Sequence, residues 1–309
     1  EVDWWLLDER TYPTNLPIMT TTASNIISSS KKPLITSVSC HRFGNLKENR
    51  AVTDEVTAQR HLSPGSGRWT QNKINPERLK PANSAFNAVV RQWEKDCPIA
   101  WGKGQRLCYP AKYDAMRAKP NSAIGDAMDV VDETIVAHWH DIVEEAREMH
   151  NGDFDPELYP SQSQIRGKFS IDVEVMPMPD ASHFDSELQG VFGPQLEALV
   201  NRRMKAAELE AWSLIIKPLA HMGSTLANPK AIFRDSLVGN VRDIMNAIPE
   251  INFSGSPELA AARNELATFA NLNPDDLRNM PEIRDTAAKA AQAMAAKYSA
   301  AKRHLELDA

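Results

Sequence analysis

The sequence predicts a mainly α protein, built of long antiparallel helices with a minor two-stranded β element. Three observations predict it. Apolar residues recur at steps of three and four along most of the chain. One segment, residues 169–176, has a clear period of two: Phe169, Ile171, Val173 and Val175 alternate with Ser170, Asp172 and Glu174, as in a half-buried strand. Residues 34–41 offer the second strand, with Leu34, Thr36, Val38 and Cys40 on one face. A lone strand cannot satisfy its backbone, so the two are expected to pair.

Residues 1–33 are set apart as a disordered or extended tail. Trp4, Trp5, Leu6 and Leu7 are followed by a Pro-broken stretch, and Met19 opens the polar run TTTASNIISSSKKP. That run buries too little apolar surface to offset its ordering entropy. Met19 reads as the native start, with residues 1–18 upstream of it; the alternative is a Trp-rich peptide that docks on a partner. EVDWWLLDER lacks a basic n-region and a clean apolar core, so no signal peptide is expected.

A core domain is expected over residues 34–272. Residues 63–72 read as a loop from their Ser, Pro and Gly. Asn75-Pro76 starts a helix whose apolar face is Leu79, Ala82, Phe86, Val89, Val90 and Trp93. WGKGQR, residues 101–106, reads as a turn, and a short helix follows near 111–118. Asn121 is the expected cap of one long helix, 122–150, with the stripe Ile124, Met128, Val131, Ile135, Trp139, Ile142, Val143 and Ala146. Another long helix is expected at about 194–226, bent at Pro218 and packed on the first. Shorter helices follow at 231–248 and 257–271. The Ala-rich C-terminal helix, within residues 273–309, carries the seam Ile283, Ala287, Ala290, Met294, Tyr298, Ala301 and Leu305.

Composition excludes several classes. Hydrophobic residues are 42% and charged residues 25% of the chain, ordinary values for a soluble globular protein. No run of about 18 apolar residues exists, so no membrane helix is expected. Cys40, Cys97 and Cys108 are odd in number and lack CxxC spacing, which argues for a reducing compartment. The net charge of −6 is split: residues 19–119 carry +10 and residues 120–309 carry −13. Opposite halves of this kind attract each other or a neighbouring subunit.

No nucleophile elbow, Walker loop or dinucleotide fingerprint is present. In HWHDIVEE, residues 138–145, His140 and Glu144 share a helix face and are the weak metal candidates of an alternative hydrolase reading. The expectation is no catalytic residue, no metal and no cofactor. Arg68, Lys73, Arg78, Lys80, Lys103 and Arg106 interleave with Trp69 and Trp101, the mixture of cations and stacking aromatics that single-strand binders use.

The order of SVSCHRFG, NPERLKPANSAFNAVVRQW, YPSQSQIRGKFSIDVEVMPMP and IFRDSLVGNVRDIM resembles a domain-of-unknown-function family of phage and bacterial genomes, often encoded beside MoxR-type AAA+ ATPases. The resemblance spans roughly residues 34–270. Cys40 and His41 stand where the usual family start has a tryptophan and basic residues. The resemblance implies a mostly helical, phage-encoded protein of the bacterial cytoplasm that acts with an ATPase. The expected function is a non-enzymatic structural or adaptor protein that assembles with itself or with the AAA+ ATPase. The alternative is a single-stranded nucleic-acid-binding protein of phage replication or recombination.

Overall fold

The computed structural model describes residues 32–116, 118–180 and 186–307. Residues 1–31, where the tail and its tryptophans were expected, lie outside the described residues. Strands β1 (Leu34–His41) and β2 (Leu46–Glu48) come first, then α1 (Arg50–Gln59) and β3 (Thr70–Asn72). α2 (Pro76–Asp96), β4 (Ala100–Gly102), β5 (Gln105–Cys108) and α3 (Pro110–Met116) follow. α4 (Ala118–Val131) runs into a π turn at Asp132–Val136 and then α5 (Trp139–His150). The rest are α6 (Gln162–Ile165), β6 (Ser170–Pro177), α7 (Ser186–Ala227), α8 (Ser236–Ile251), α9 (Pro257–Ala270), α10 (Pro274–Asn279) and α11 (Pro281–Leu307). The protein is mainly α. No helix among the described residues is long and apolar enough to cross a membrane.

β1 and β6 pair antiparallel along their whole length, from Leu34 opposite Pro177 to His41 opposite Ser170. They are half of a four-stranded sheet, ordered β4-β5-β1-β6, and not a two-stranded element. The other half is the segment read as a turn. Trp101 and Gly102 belong to β4, Gln105 and Arg106 to β5, and Gly104, with φ of 71°, makes the reversal between them. A second, two-stranded sheet joins β2 to β3.

Alternation along β1 divides the molecule. Ile35, opposite Leu107, faces a core formed with α7, α8, α9 and α11, including Trp101, Trp212, Ile215 and Met222. Val38 and Cys40, opposite Val173 and Ile171, face a second core with Phe86, Val131, Ile135, Trp139, Ile142 and Ile165. Each face of the sheet is therefore covered by its own helical layer. Within β1, Thr36 is buried at 1% exposure; its hydroxyl donates to the Arg106 carbonyl and accepts from Trp93 Nε1 at 3.1 Å.

α2 follows its sequence pattern. Asn75 Oδ1 accepts from the Glu77 amide at 3.1 Å, and Leu79, Ala82, Phe86, Val89 and Trp93 are buried, with Val90 at the margin. The single helix expected over 122–150 is instead three pieces. It begins at Ala118, widens at Asp132–Val136, where the Ala137 amide reaches the Asp132 carbonyl, and resumes at Trp139. This segment packs on α2, and α7 lies in the other core against α11, α8 and β4, so the expected packing of 122–150 on 194–226 gives way to two separate cores. α7 starts at Ser186, not 194, and α8 at Ser236, after Ala231–Arg234 run without helical structure.

α7 and α11 form the principal helix pair. Arg284 donates to the Leu226 carbonyl, Gln292 Nε2 to the Gly223 carbonyl, and Tyr298 meets the Trp212 ring at 5.3 Å between centroids. The pairs climb one helix as they descend the other. The buried seam of α11 is Ala287, Ala288, Ala291, Ala295 and Tyr298, so Ala290 faces out and Ile283 is exposed, contrary to the expected stripe. The seam belongs to the same core as α7.

Candidate functional site

The basic and aromatic residues singled out in the sequence are dispersed over the fold. Trp101 is buried in the α7–α11 core. Arg106 is occupied in holding the end of α2: its guanidinium donates to the carbonyls of Cys97 and Pro98, pairs with Glu94 at 3.0 Å and lies 5.6 Å from the Trp93 ring. Arg78 binds Glu145 at 2.8 Å, and Asn75 Nδ2 donates to the same carboxylate. These hydrogen bonds, from Asn75 first and Arg78 next, hold the Glu145 carboxyl below its usual range. Lys80 pairs with Glu77 at 2.7 Å, and Lys73 Nζ lies 5.3 Å from the Phe43 ring.

Three of the set remain exposed and make no ion pair among the described residues: Arg68, Trp69 and Lys103. Arg68 and Trp69 end the loop before β3, which is tied to α1 by the Trp69 amide donating to Thr53 Oγ1 at 2.9 Å. Trp69 is 51% exposed. Lys103 is on the β4–β5 hairpin, in the other sheet.

His140 and Glu144 are both exposed on α5. His140 lies 3.8 Å from Asp141, and Glu144 is engaged by Arg147 at 3.3 Å. No group of three or more His, Cys, Asp or Glu side chains among the described residues is placed to hold a metal ion. Cys97 and Cys108 form a small buried cluster with Trp93. The hydrogen bond between the two thiols, and then burial, push Cys108 far above the ordinary thiol range, so it stays protonated. A shallow cleft of about 340 Å³ between α7 and α11 is lined by Lys217, Lys302, Arg303 and Glu306, and Lys302 already pairs with Glu306.

The feature that sequence reading missed is the N-terminal half of α7. Leu188, Val191, Phe192 and Leu199 are exposed by 44%, 60%, 45% and 37%, values that large apolar side chains rarely show together on one helix. Their spacing places them on one side of α7. Ala207, Ala211, Ile215, Leu219, Met222 and Leu226, which build the core farther along, project from roughly the opposite side. The apolar stripe was in the sequence; starting the helix at Pro194 discarded its first three members.

No family model, no curated protein and no solved structure matches this chain.

Proposed function

We propose that this chain is a non-enzymatic structural or adaptor protein that assembles with copies of itself or with an AAA+ ATPase. The observation that carries the reading is the exposure of Val191 and Leu199, 60% and 37%, on a 42-residue helix whose other half is locked into the core. Long antiparallel helices, α7 against α11, give such a surface a stiff base. Exposed apolar side chains of this kind lower their free energy by being covered. The AAA+ partner rests on the sequence resemblance.

Light scattering and sedimentation of the purified chain test the proposal, together with co-purification of an ATPase from the source cells. Assembly in either assay supports it. A strict monomer that retains no ATPase overturns it.

A second reading, single-stranded nucleic-acid binding, is favoured by one observation: a half-exposed Trp69 next to an exposed Arg68 that makes no ion pair among the described residues. Fluorescence anisotropy with a labelled oligonucleotide across a salt series decides it. Salt-steep binding that Trp69→Ala abolishes supports it; no binding at low salt removes it.

A further inference from the structure

We infer that Cys97 and Cys108 form a redox site, a buried dithiol that a hydroperoxide converts into a disulfide within the chain.

The fold brings the two residues together from separate elements. Cys97 follows the last turn of α2, its amide donating to the Trp93 carbonyl at 2.8 Å, and Cys108 ends β5. The Leu107 amide donates to the Ile99 carbonyl at 2.8 Å, so the chain leaving α2 already runs antiparallel beside β5. By that register Cys97 and Cys108 are one residue from direct opposition. Adjacent strands lie about 4.8 Å apart, and a disulfide spans Cα atoms about 4.4–6.8 Å apart. Both side chains are buried at 1% exposure in one cluster with Trp93, and their thiols are hydrogen-bonded to each other.

The third cysteine is out of reach. Cys108 stands opposite Leu34 on β1, and Cys40 lies six residues farther along that strand. At about 3.3 Å per residue the separation is about 20 Å, far beyond the span of a disulfide. One intramolecular bond is therefore open to the three cysteines.

The two thiols of the pair are unequal. The hydrogen bond from Cys108 lowers the Cys97 thiol from its ordinary range; burial opposes it, and Thr36 and the Lys112 ammonium add to the lowering, against Asp96. Cys108 keeps its proton. Cys97 is thus the attacking sulfur and Cys108 the resolving one. Burial selects the oxidant. Tyr113 of α3 packs against the cluster. A bulky disulfide such as that of glutathione is too large to reach these sulfurs, whereas hydrogen peroxide is close to water in size.

The Cys97 thiolate attacks one peroxide oxygen. The O–O bond breaks, a sulfenic acid forms, and the departing hydroxide takes up the proton that Cys97 released. The Cys108 sulfur then attacks the Cys97 sulfur, the S–O bond breaks, and a second water leaves with the Cys108 proton. Two electrons pass from the thiols to the peroxide. The new bond closes residues 97–108 into a ring around the β4–β5 hairpin and pins the end of α2 to β5, which makes the oxidised chain harder to unfold.

Titration of the folded Cys40→Ser chain with hydrogen peroxide tests the assignment, followed by unfolding in an alkylating agent and mass spectrometry. Both alkylatable thiols should be lost together, with a cross-linked peptide joining Cys97 to Cys108, and dithiothreitol should restore both. The urea midpoint should rise on oxidation and fall back on reduction. On the same background Cys108→Ala should stop at a Cys97 sulfenic acid that dimedone traps, and Cys97→Ala should consume peroxide at least about tenfold more slowly. If circular dichroism shows that a variant does not fold, the cross-linked peptide from the wild-type chain decides alone. Oxidation that occurs only in urea overturns the assignment. So does a Cys97 driven to sulfinic acid while Cys108 remains free.

Discussion

A Cβ built on Gly223 would lie 2.7 Å from Cγ of Gln292 and 3.1 Å from its backbone nitrogen. At this point α7 and α11 approach so closely that Gln292, by its side chain and backbone together, leaves no room for a side chain at position 223. The Gln292 amide uses the closeness, donating to the Gly223 carbonyl at 3.3 Å.

Gly223→Val should therefore force the helices apart. The expected loss is about 1–3 kcal/mol, from overpacking at a site with a backbone wall. Urea denaturation of the purified variant measures it; an unchanged midpoint would mean that the seam can open at no cost.

Two buried tryptophans should respond differently to the same change. Trp139 Nε1 donates to the Pro160 carbonyl at 2.7 Å, whereas Trp212 Nε1 is buried with no hydrogen-bond partner among the described residues. Trp139→Phe leaves the Pro160 carbonyl without its donor. Trp212→Phe removes an unsatisfied donor and loses only volume. Trp139→Phe is expected to be the costlier by about 1–2 kcal/mol, read from paired denaturation curves.

Arg284 caps the end of α7. Its guanidinium donates to the carbonyls of Leu226, Asn228 and Ala231, at 3.0, 2.6 and 3.0 Å, and lies 5.4 Å from the Phe233 ring. Arg284→Met should cost about 2–3 kcal/mol by orphaning several carbonyls at a helix C-terminus. Arg284→Lys should recover little of it, because a point charge cannot reproduce the fork. Full recovery in the thermal melt of the lysine variant would show that charge alone suffices.

Glu265 makes stability depend on acid. Hydrogen bonds from Lys297 first and Tyr298 second hold its carboxyl below the usual range. A lowered folded-state pKa gives stability that is complete above the unfolded value, about 4.3, and is lost as pH falls through the folded one. The stability gap between wild type and Glu265→Gln should thus hold between neutral pH and about pH 5 and close below it. Tyr298, raised by burial and then by Glu265, adds the opposite limb: its contribution is present below about pH 10 and lost above. Denaturation at a series of pH values checks both limbs.

The pairing of β1 with β6 was legible in the sequence because the alternation from Phe169 to Val175 fits a half-buried strand and little else. The β4–β5 hairpin was not. Its strands have three and four residues, and the Gly-Lys-Gly between them reads as a loop in any context. Trp101 was misjudged for the same reason: an aromatic beside glycines looks like a surface residue until a strand turns it inward. The faces of α2 were legible because one helix buries one stripe. On α7 the core side, Ala207, Ile215 and Met222, was legible as well; the exposed apolar residues of its N-terminal half were not, because the apolar direction changes midway. The cations looked free in sequence since their partners, Glu145 for Arg78 and the Cys97 and Pro98 carbonyls for Arg106, are set by tertiary packing.

The wide turn at Asp132–Val136 sets how this chain tolerates a change in length. Val131 and Trp139 both reach the same core although they are eight residues apart. A regular helix would swing the second roughly 80° past the first. The turn absorbs that excess by closing one loop over five residues instead of four. Removing the exposed Glu133 would let an unbroken α-helix take its place, with Val131 and the tryptophan about 20° from alignment. Elsewhere in α4 or α5 a single deletion would rotate every downstream side chain by about 100°. The helix thus carries a spare residue at one position, and shortening there leaves the register of everything beyond it intact.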